Sequence, residues 1–543
     1  MGLLEAVLSA RGLTGGKRQA FLHPDYMLTR HDPFLLPDMD KAVARLVTAQ
    51  KKHERVVIYG DYDIDGLTAT SVLLDAFASF GIKTRAFIPN RFVEGYGLSM
   101  KAIETLANEG AQLIVTVDCG SLSHKEIDRA NALGVDVIVT DHHSVAETMP
   151  AAIATINPKR TDHTYPFIDL AGVGVAFKLV QALQTKLEGL PAGQEKWLLD
   201  LVALGTVCDV VELQDENRSN VYWGLEVMKK TRRPGIKLLM AVSRVEPESL
   251  NARSLGFALG PRLNAAGRLE TAQIALDLLT TTDRTAALEL AERLDTMNTA
   301  RRAEQDRIFK EAISQAEVRS DDPVLIVSDP SWSHGIIGIV AAKLLERYYK
   351  PTFVLQELED GLAKGSARSF GEFSAVEGIR ATYEHLVKGG GHKLAAGVTL
   401  EVHKIDTWRA AMQTYYRELK LVDQLRFLEP QADAHLEDFS AWTEKEIDAL
   451  AALEPYGNGN KPPIFSVGPL TVASRRTMGA DNQHVKYRLI DQKGDQREFV
   501  AFSAAHTVTA IEGDTVKIWA EPSINEWRGK RTAEGRLLKL EVV

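Results

Sequence analysis

Short apolar runs rich in β-branched residues alternate with amphipathic stretches in the first third of the chain. The runs predict strands at Arg55–Tyr59, Thr84–Ile88, Leu113–Val117, Asp136–Thr140 and Ala152–Ile156. The stretches between them predict helices at Leu67–Phe80, Ser99–Asn108 and Ser123–Leu133. Because strands that alternate with helices form right-handed crossovers, we predict an α/β fold built on a parallel sheet.

The rest of the chain divides into segments with different patterns. The polar stretch Gln214–Arg218 predicts a turn. Residues 283–318 contain neither glycine nor proline and predict a long connector helix. A second α/β segment follows, and short alternating strands after the turn-rich Pro455–Pro463 predict a small β-barrel. The predicted domains are an N-terminal extension at 1–50, a first α/β domain at 51–282, the connector at 283–318, a second α/β domain at 319–425, and a helical lead-in with the barrel at 426–543.

Composition excludes some classes of protein. A chain of 543 residues is too long for one core, and 45% hydrophobic with 25% charged residues is typical of a folded soluble protein. No apolar run approaches the roughly 20 residues of a membrane helix, and the first residues lack a signal-peptide layout. Cys119 and Cys208 are too few for a disulfide framework, so we expect free thiols and the cytoplasm. The net charge of −9 argues against indiscriminate coating of nucleic acid.

Acidic residues follow three of the predicted strands. Gly60–Gly66 reads Gly-Asp-Tyr-Asp-Ile-Asp-Gly, Asp118 ends the third strand, and Asp141-His142-His143 ends the fourth. In a parallel sheet the carboxyl ends of the strands lie along one edge, where ligands bind. Carboxylates that crowd one crevice repel each other unless a cation joins them, so the sequence predicts a divalent metal site.

The residue types indicate which metal and which roles. Carboxylate oxygens suit Mg²⁺ or Mn²⁺, imidazole shifts the preference toward Mn²⁺, and a cluster of this size can hold two ions for phosphodiester hydrolysis. Alternation of the three aspartates of Gly60–Gly66 on extended backbone would place their carboxylates on one side. The predicted metal ligands are Asp63, Asp65, Asp118, His142 and Asp209, and the predicted catalytic residues are Asp141, His143 and Asp61.

Other interpretations of these residues remain open. A single aspartate after a strand is commonly a helix cap, and His143 could be a supporting histidine. A calcium loop also alternates acidic residues, but Ser71 or Val72 occupies the position where such a loop requires Glu. Gly172-Val-Gly174 is interpreted as a helix-packing feature. Because three separate strand ends carry acids, metal binding is favoured over capping.

On these motifs the chain resembles RecJ-type exonucleases of the DHH phosphoesterase superfamily. Asp141-His142-His143 matches the triplet that names the superfamily, and Gly60–Gly66 matches its first motif. Further segments are similar to the family's signature, to its DHH-associated domain and to its oligonucleotide-binding barrel: Gly260–Arg268, Ser333–Gly338, Gly365–Ser369, Gly389–Gly397 and Pro455–Val543. The match covers nearly the whole chain from about Leu22.

The resemblance implies 5′→3′ degradation of single-stranded DNA to mononucleotides, with Mn²⁺ or Mg²⁺, in recombination and repair. It implies single-stranded DNA as substrate and a single-strand-binding protein or a repair helicase as partners. We also expect a monomer without membrane attachment. It also implies a set of substrate-binding residues, which are Arg262, Asn264, Arg268, Ser366, Arg368, Gly390, Gly391 and His392. Structural roles for the glycines and for the arginines of 260–268 are the alternative.

The barrel sequence adds a basic and aromatic set that is typical of single-strand binding, although core aromatics and solvated charges explain it equally well. Its aromatic members are Tyr487, Trp519 and Trp527, and its basic members are Arg475, Arg476, Lys486, Arg488, Arg528, Lys530 and Arg531. The chain lacks the phosphate-loop motif of ATP-driven helicases. Two alternative functions stay open, namely a DHH hydrolase of short RNA or cyclic dinucleotides and a catalytically silent scaffold.

Overall fold

The protein is described by a computed structural model, which covers residues 2–91, 94–479, 482–504 and 508–543. The chain forms two compact units, one of Met1–Gly267, Thr271–Glu292 and Pro430–Val543 and the other of Arg268–Glu270 and Arg293–Glu429. No helix in these described ranges is long and apolar enough to cross a membrane.

The first unit contains the predicted parallel sheet. Its strands are β1 (Val56–Tyr59), β2 (Thr84–Phe87), β3 (Leu113–Val117), β4 (Asp136–Thr140) and β5 (Ala154–Ile156), in the order β2-β1-β3-β4-β5. All pairings are parallel, and β1, β3 and β4 are neighbours. Since every residue of β1 and β3 is buried, these strands form runs that are apolar on both faces. Their carboxyl ends therefore lie side by side at one edge.

Helices cover this sheet and extend the first unit. Those up to the fourth strand are α1 (Leu3–Ala10), α2 (Gly15–Leu22), α3 (Met39–Lys51), α4 (Ile64–Ser79), α5 (Met100–Asn108) and α6 (His124–Ala132). Those after the fifth strand are α7 (Gly172–Leu183), α8 (Leu199–Cys208), α9 (Asp215–Met228), α10 (Pro234–Val242), α11 (Ala252–Ser254), a π-helix (Leu255–Leu259), α12 (Gly260–Leu269) and α13 (Gln273–Thr280). The connector is confirmed as one helix, α14 (Arg284–Val318).

The second unit is a mixed α/β domain. Its strands are β6 (Leu325–Asp329), β7 (Thr352–Glu357), β8 (Leu362–Arg368), β9 (Lys388–Gly391) and β10 (Ala395–Glu401), in the order β6-β7-β8-β10-β9. Its further helices are α15 (His334–Tyr348), α16 (Ala375–Ala381) and α17 (Ile405–Glu418). Only β6 and β7 pair in parallel among the described strands of this sheet.

The carboxyl-terminal region forms the predicted barrel. It contains α18 (Glu444–Ala449) and the strands β11 (Ala434–Leu436), β12 (Phe465–Met478), β13 (His484–Ile490), β14 (Gln496–Ala501), β15 (Thr515–Trp527) and β16 (Lys530–Val542). The strand order is β11-β12-β13-β14-β16-β15, and an added pairing of β12 with β15 closes the sheet. Short 3₁₀ turns lie at Pro33–Leu35, Gln194–Leu198, Pro247–Ser249, Tyr383–His385, Val402–Lys404, Gln424–Leu428 and Leu450–Leu453.

The N-terminal helix belongs to the core of the barrel. Leu3, Val7 and Leu8 of α1 are at most 1% exposed and cluster with barrel residues such as Trp442. Arg11 adds a bidentate ion pair with Asp433, with its Nε 2.7 Å from the carboxylate. The segment that the sequence sets apart as an extension therefore completes a domain more than 400 residues further along the chain.

Two local predictions are wrong. Helix α4 begins at Ile64 and not at Leu67, because the side chain of Asp63 caps it by accepting from the Gly66 amide at 3.1 Å. The polar stretch Gln214–Arg218 is the start of α9 and not a turn, and its acidic residues Asp215 and Glu216 lie in the first helical turn. Acids are favourable there because the amino end of a helix carries partial positive charge.

Candidate metal centre

The predicted metal ligands meet at the carboxyl edge of the parallel sheet. The residues after β1, β3 and β4 are joined there by Asp209, which lies at the end of α8. Three groups have ligand atoms within 4.8 Å of one another, and they are Asp61-Asp63-Asp118, Asp65-His142-Asp209 and Asp118-His142-His143. The structure thus brings together every predicted ligand, and it adds Asp61 and His143 to the groups.

The three aspartates of Gly60–Gly66 reach the site by different backbone conformations. The prediction that they alternate on an extended strand is wrong, because Asp63 caps α4 and Asp65 lies in its first turn. Gly66 permits this arrangement, since a Cβ there would lie 2.8 Å from the Asp61 Cβ. The carboxylates converge because a helix starts immediately after β1.

The carboxylate of Asp65 is held by the amino end of α7. Its two oxygens accept from the backbone amides of Gly172 at 2.6 Å and Val173 at 2.8 Å. These amides are unsatisfied within the helix, and they favour a negative charge. Asp65 is therefore fixed in position, while its remaining lone pairs stay available to a cation.

Asp118 lies in a conformation that few residues adopt. Its φ angle is +62°, a left-handed conformation that aspartate tolerates better than bulkier residues. A Cβ on Gly172 would come within 2.7 Å of the Asp118 Oδ1 atom. The first glycine of Gly172-Val-Gly174 therefore serves the site directly, whereas Gly174 meets only an ordinary contact at 3.4 Å from Leu170.

Asp141 has a different role from the other aspartates. One of its oxygens accepts from the amides of His142 and His143 and lies 2.9 Å from the Nδ1 atom of His143. The other oxygen accepts from the Ser121 amide at 2.9 Å. Although burial opposes it, hydrogen bonding from His143 and these amides lowers the pKa of Asp141. Asp141 thus orients the loops that follow β3 and β4, together with the ring of His143.

His142 presents a neutral imidazole to three carboxylates. Burial, followed by the charge of His143, lowers its pKa to about 3. Its Nε2 atom lies 3.1 Å from Asp118 Oδ1, 3.6 Å from Asp209 Oδ2 and 3.8 Å from Asp65 Oδ2. A neutral histidine nitrogen surrounded by carboxylate oxygens is a suitable ligand set for a transition metal.

The electrostatics and the unsatisfied atoms both fit a divalent cation. Burial and repulsion between neighbouring aspartates raise the pKa values of Asp61, Asp65 and Asp118 well above normal, and raise that of Asp209 to about 7. Within the described ranges, Asp61 Oδ1, Asp118 Oδ1 and His142 Nε2 are buried and make no hydrogen bond, although the last two atoms lie 3.1 Å apart. Since buried polar atoms are rarely left unpaired, these three are the atoms that a metal would engage.

His143 faces outward from the same cluster. Its side chain is 39% exposed, and its Nδ1 atom lies 3.0 Å from the Tyr96 hydroxyl as well as near Asp141. Burial lowers its pKa, but the hydrogen bond and charge of Asp141 outweigh this effect and raise the pKa overall. The contact with Asp141 therefore favours the protonated form of the His143 ring beside the acidic groups.

Sequence reasoning missed two supporting residues. Asn157 follows β5 and is fully buried, and its amide donates to the Ser121 hydroxyl at 2.8 Å and to the His143 carbonyl at 2.9 Å. The sequence signal that could have identified Asn157 is its position directly after a strand that ends at the same edge of the sheet. Gly172 gave no signal beyond its lack of a side chain.

Helix α12 lies along the metal-binding loop. A Cβ on Gly267 would come within 3.1 Å of the Tyr62 carbonyl, and one on Gly260 within 2.7 Å of the Cys208 sulfur. Of the predicted substrate residues on this helix, Arg262 and Asn264 are half-buried, and an Arg262 nitrogen donates to the Ala258 carbonyl at 2.8 Å.

Arg268, the third residue predicted to bind substrate in this segment, belongs to the second unit. It donates to the carbonyl of Gly335 in the first turn of α15 at 2.9 Å. This contact fixes Arg268 against the start of α15.

Four predicted substrate residues lie on one face of the second sheet. In the strand register, Gly397 of β10 lies opposite Ser366 of β8 on one side and opposite Gly390 of β9 on the other. Ala395 of β10 lies opposite Arg368, and its carbonyl accepts from the His392 amide. Because side chains alternate along strands, Ser366, Arg368, Gly390 and His392 share a face.

The first turn of α15 lies on this face, and the edge strand stays open. A Cβ on Gly338 would come within 2.9 Å of the Ser366 hydroxyl, whereas a Cβ on Gly390 would meet nothing within 4 Å. Gly391 instead serves the backbone, since its φ is +143° and a Cβ would lie 2.5 Å from Ala396. The consecutive glycines at 389–391 therefore belong to the edge strand β9 and do not form a turn.

The barrel residues divide between core and surface. Tyr487 is fully buried, and its hydroxyl donates to backbone carbonyls of the core. Lys486 pairs with Glu498 and Glu534, and Arg488 also pairs with Glu498. By contrast, Trp527 is 69% exposed near the end of a long hairpin.

Comparisons with known proteins agree with this architecture. The chain matches the DHH family N-terminal domain over residues 55–206, the DHHA1 domain over 321–418 and the RecJ OB domain over 432–538. These ranges cover the parallel sheet with all residues of the metal centre except Asp209, the second α/β domain and the barrel, respectively.

Curated relatives resemble the chain over most of its length. The single-stranded-DNA-specific exonuclease RecJ of Bacillus subtilis is 37% identical over 97% of this chain, which spans 66% of that relative. The protein of the same name from Escherichia coli is 36% identical over 92% of this chain and 89% of its own length.

Solved structures extend the likeness to three dimensions. Crystalline RecJ from Thermus thermophilus in complex with Mn²⁺ has a TM-score of 0.84 and 30% identity, covering 99% of this chain and 75% of its own. The same protein in complex with Mg²⁺ has a TM-score of 0.78 and 29% identity, covering 98% and 74% of the two chains. With three matching domains in order and relatives above 30% identity over most of their length, the chain belongs to the RecJ family.

Proposed function

We propose that this protein is a single-stranded-DNA-specific exonuclease that degrades its substrate 5′→3′ to mononucleotides in DNA recombination and repair. The observation that carries the proposal is the set of buried, unpartnered ligand atoms on Asp61, Asp118 and His142 at one sheet edge. Membership of a family whose curated members are named for this activity supports it.

Mn²⁺ or Mg²⁺ is the proposed cofactor, since the T. thermophilus relative is described in complex with each. Two groups would hold two ions, one comprising Asp61, Asp63 and Asp118 and the other Asp65, His142 and Asp209, with Asp118 close to both. When bound, such ions activate water for attack on phosphorus and neutralise the charge that develops on the leaving oxygen.

The residues of the chain provide orientation and protons. Asp141 lies 2.9 Å from the Nδ1 atom of His143, so the ring is fixed in orientation and its pKa is raised beside the acidic cluster. The Nε2 atom of His143 has no hydrogen-bond partner within the described part of the chain, and we propose that it donates to the scissile phosphate. The close backbone around Gly172 and Asp118 keeps the ligand atoms in place.

In the second unit, the shared face of β8, β10 and β9 is the proposed phosphate-binding surface. Arg368 offers a guanidinium for bidentate binding, and the open backbone of Gly390 allows a phosphate to approach closely. The amino end of α15, on the same face, favours an anion. Ser366 and His392 complete this proposed surface, and Gly391, Arg262, Asn264 and Arg268 are proposed further contacts.

The remaining expectations stay proposals. We propose the domain bounds given by the sequence, except that α1 of the extension at 1–50 belongs to the barrel core. We also propose a monomer and contacts with a single-strand-binding protein and a repair helicase. Both cysteines are free, which suits the reducing cytoplasm that the sequence predicts. A DHH hydrolase of short RNA or cyclic dinucleotides is disfavoured by the barrel, which a short substrate would not need. A silent scaffold is disfavoured by the full set of acidic ligands.

Digestion of end-labelled single-stranded DNA tests the proposal. We expect mononucleotide release from a 5′-labelled strand with Mn²⁺ or Mg²⁺, none with chelator, and much slower release from blunt duplex. Asp118→Asn should lower the rate by at least about 10²-fold while single-strand binding is kept, because asparagine tolerates the positive φ but removes a charged ligand. Equal rates on duplex, or full turnover by this variant, would contradict the proposal.

A further inference from the structure

The turn-rich segment Pro455–Pro463 is bound tightly to the residues that follow Asp209, all within the first unit. Asn458 donates from Nδ2 to the Val210 carbonyl at 3.1 Å, and its own carbonyl accepts from the Leu213 amide at 2.8 Å. The Gln214 side chain donates to the Gly459 carbonyl. We call residues 456–460, with these bonds, the strap.

The strap is a rigid element and not a flexible linker. Gly457 and Asn460 exchange two backbone hydrogen bonds, of 2.9 and 3.2 Å, around a tight turn. Asn460 is 3% exposed, donates to the carbonyls of Leu453 and Pro455, and accepts from Arg11 at 2.8 Å.

The glycines of the strap have no room for side chains. A Cβ on Gly457 would lie 2.6 Å from the Leu213 side chain, and Gly459 has a φ of +71° with Glu212 3.1 Å from its Cβ position. The turn is therefore shaped to fit the segment that follows Asp209.

Val210 links the strap to the metal site, because it accepts a hydrogen bond from Asn458 and is the residue next to Asp209. It directly follows Asp209 and has a φ of +62°, a conformation that is strained for a β-branched residue. Its side chain is exposed and contributes no core packing that could stabilise this conformation. Such strain persists only where the surroundings impose it. The hydrogen bond from Asn458 to the Val210 carbonyl is a contact that can hold this conformation.

We propose that Asn458 is a positioning residue for the metal centre, which fixes the backbone after Asp209 so that its carboxylate faces the Nε2 atom of His142. The strap thereby makes the lead-in of the barrel a part of the metal site. The inference rests on the proposed metal-dependent function, and it adds that a residue of the barrel lead-in sets the affinity for the ion held by Asp209.

The experiment compares Asn458→Ala with Asn525→Ala, which removes a single hydrogen bond to Glu534 elsewhere in the barrel. Calorimetric titration of the metal-free proteins with Mn²⁺ should show binding weakened roughly three- to tenfold in Asn458→Ala, the size of one hydrogen bond, and unchanged in the control. At limiting Mn²⁺ the kcat should fall with KM for DNA unchanged, and excess Mn²⁺ should restore it.

A second variant separates positioning from a general loss of structure. Adding Val210→Gly to Asn458→Ala should recover Mn²⁺ affinity, because glycine adopts a positive φ without strain. Wild-type affinity in Asn458→Ala, or no recovery in the double variant, would overturn the inference. If Asn458→Ala binds Mn²⁺ more weakly but the wild-type protein does not digest single-stranded DNA, the inference is supported and the proposed function is refuted. The two proposals can therefore fail separately.

Discussion

Gly172 lies between two of the proposed metal ligands and has no room for a side chain. Its amide holds Asp65, and its Cα hydrogen faces Asp118. Gly172→Ala should therefore displace Asp118 and weaken Mn²⁺ binding by at least about tenfold, since the added methyl would lie 2.7 Å from a carboxylate oxygen. Titration with Mn²⁺ and the rate of single-strand digestion measure the effect.

Gly174→Ala is the matched control for this substitution, because it lies on the same helix and its Cβ would approach Leu170 no closer than 3.4 Å. Its Mn²⁺ affinity and rate should stay within about twofold of the wild type, or improve slightly through higher helix propensity. Similar losses in the two variants would show that general disturbance of α7, and not the contact with Asp118, is responsible.

At the scale of elements, a buried ion pair joins α7, α9 and the segment around His31. Lys178 is 1% exposed, and its Nζ atom lies 2.8 Å from Glu216 and 2.5 Å from the His31 carbonyl. Burial opposes the charge on both groups, because it lowers the pKa of Lys178 and raises that of Glu216. The pair is therefore costly to bury, and removing one partner leaves the other uncompensated.

Lys178→Met should destabilise the first unit by about 3 kcal/mol, because Glu216 would remain buried without its cation. Thermal unfolding of the whole chain measures this as a lower midpoint. Lys229→Met removes a partly exposed pair with Glu226 and should cost under about 1 kcal/mol. Equal midpoints for the two variants would contradict a structural role for the buried pair.

At the scale of the whole molecule, the two ends of the chain meet in one core. Val7 of α1 is fully buried among barrel residues, while Ser9 of the same helix is exposed. Val7→Asp should destabilise the barrel by about 3–5 kcal/mol, since it buries an unpaired charge. The loss should appear as weaker single-strand binding and a lower unfolding midpoint.

Ser9→Asp places the same charge on the solvent side of α1 and should leave both measurements unchanged within about 0.5 kcal/mol. If Val7→Asp behaved like Ser9→Asp, α1 would not be part of the barrel core. The comparison also tests whether the first residues act as a separate extension, as the sequence pattern suggests, or as part of the barrel.

The sequence by itself determined the sheet, the connector helix, the barrel and the chemistry of the strand ends. Periodicity is local, so the parallel strands and the glycine-free helix α14 could be predicted without tertiary contacts. The acids at Asp118 and Asp141 were recognisable because the carboxyl ends of parallel strands share an edge. Asp209 could be predicted as a further ligand because it ends another apolar segment.

Only the tertiary structure decided which atoms face each other. It showed that the amino end of α7 holds Asp65 and that Gly172 leaves room for Asp118. It also showed that Asp141 spends its oxygens on hydrogen bonds to Ser121, His142 and His143 and so orients the His143 ring. It also joined α1 and the strap to segments hundreds of residues away. Such contacts leave no periodic trace along the chain, because they depend on where distant backbone segments pack and on space that only the folded chain defines.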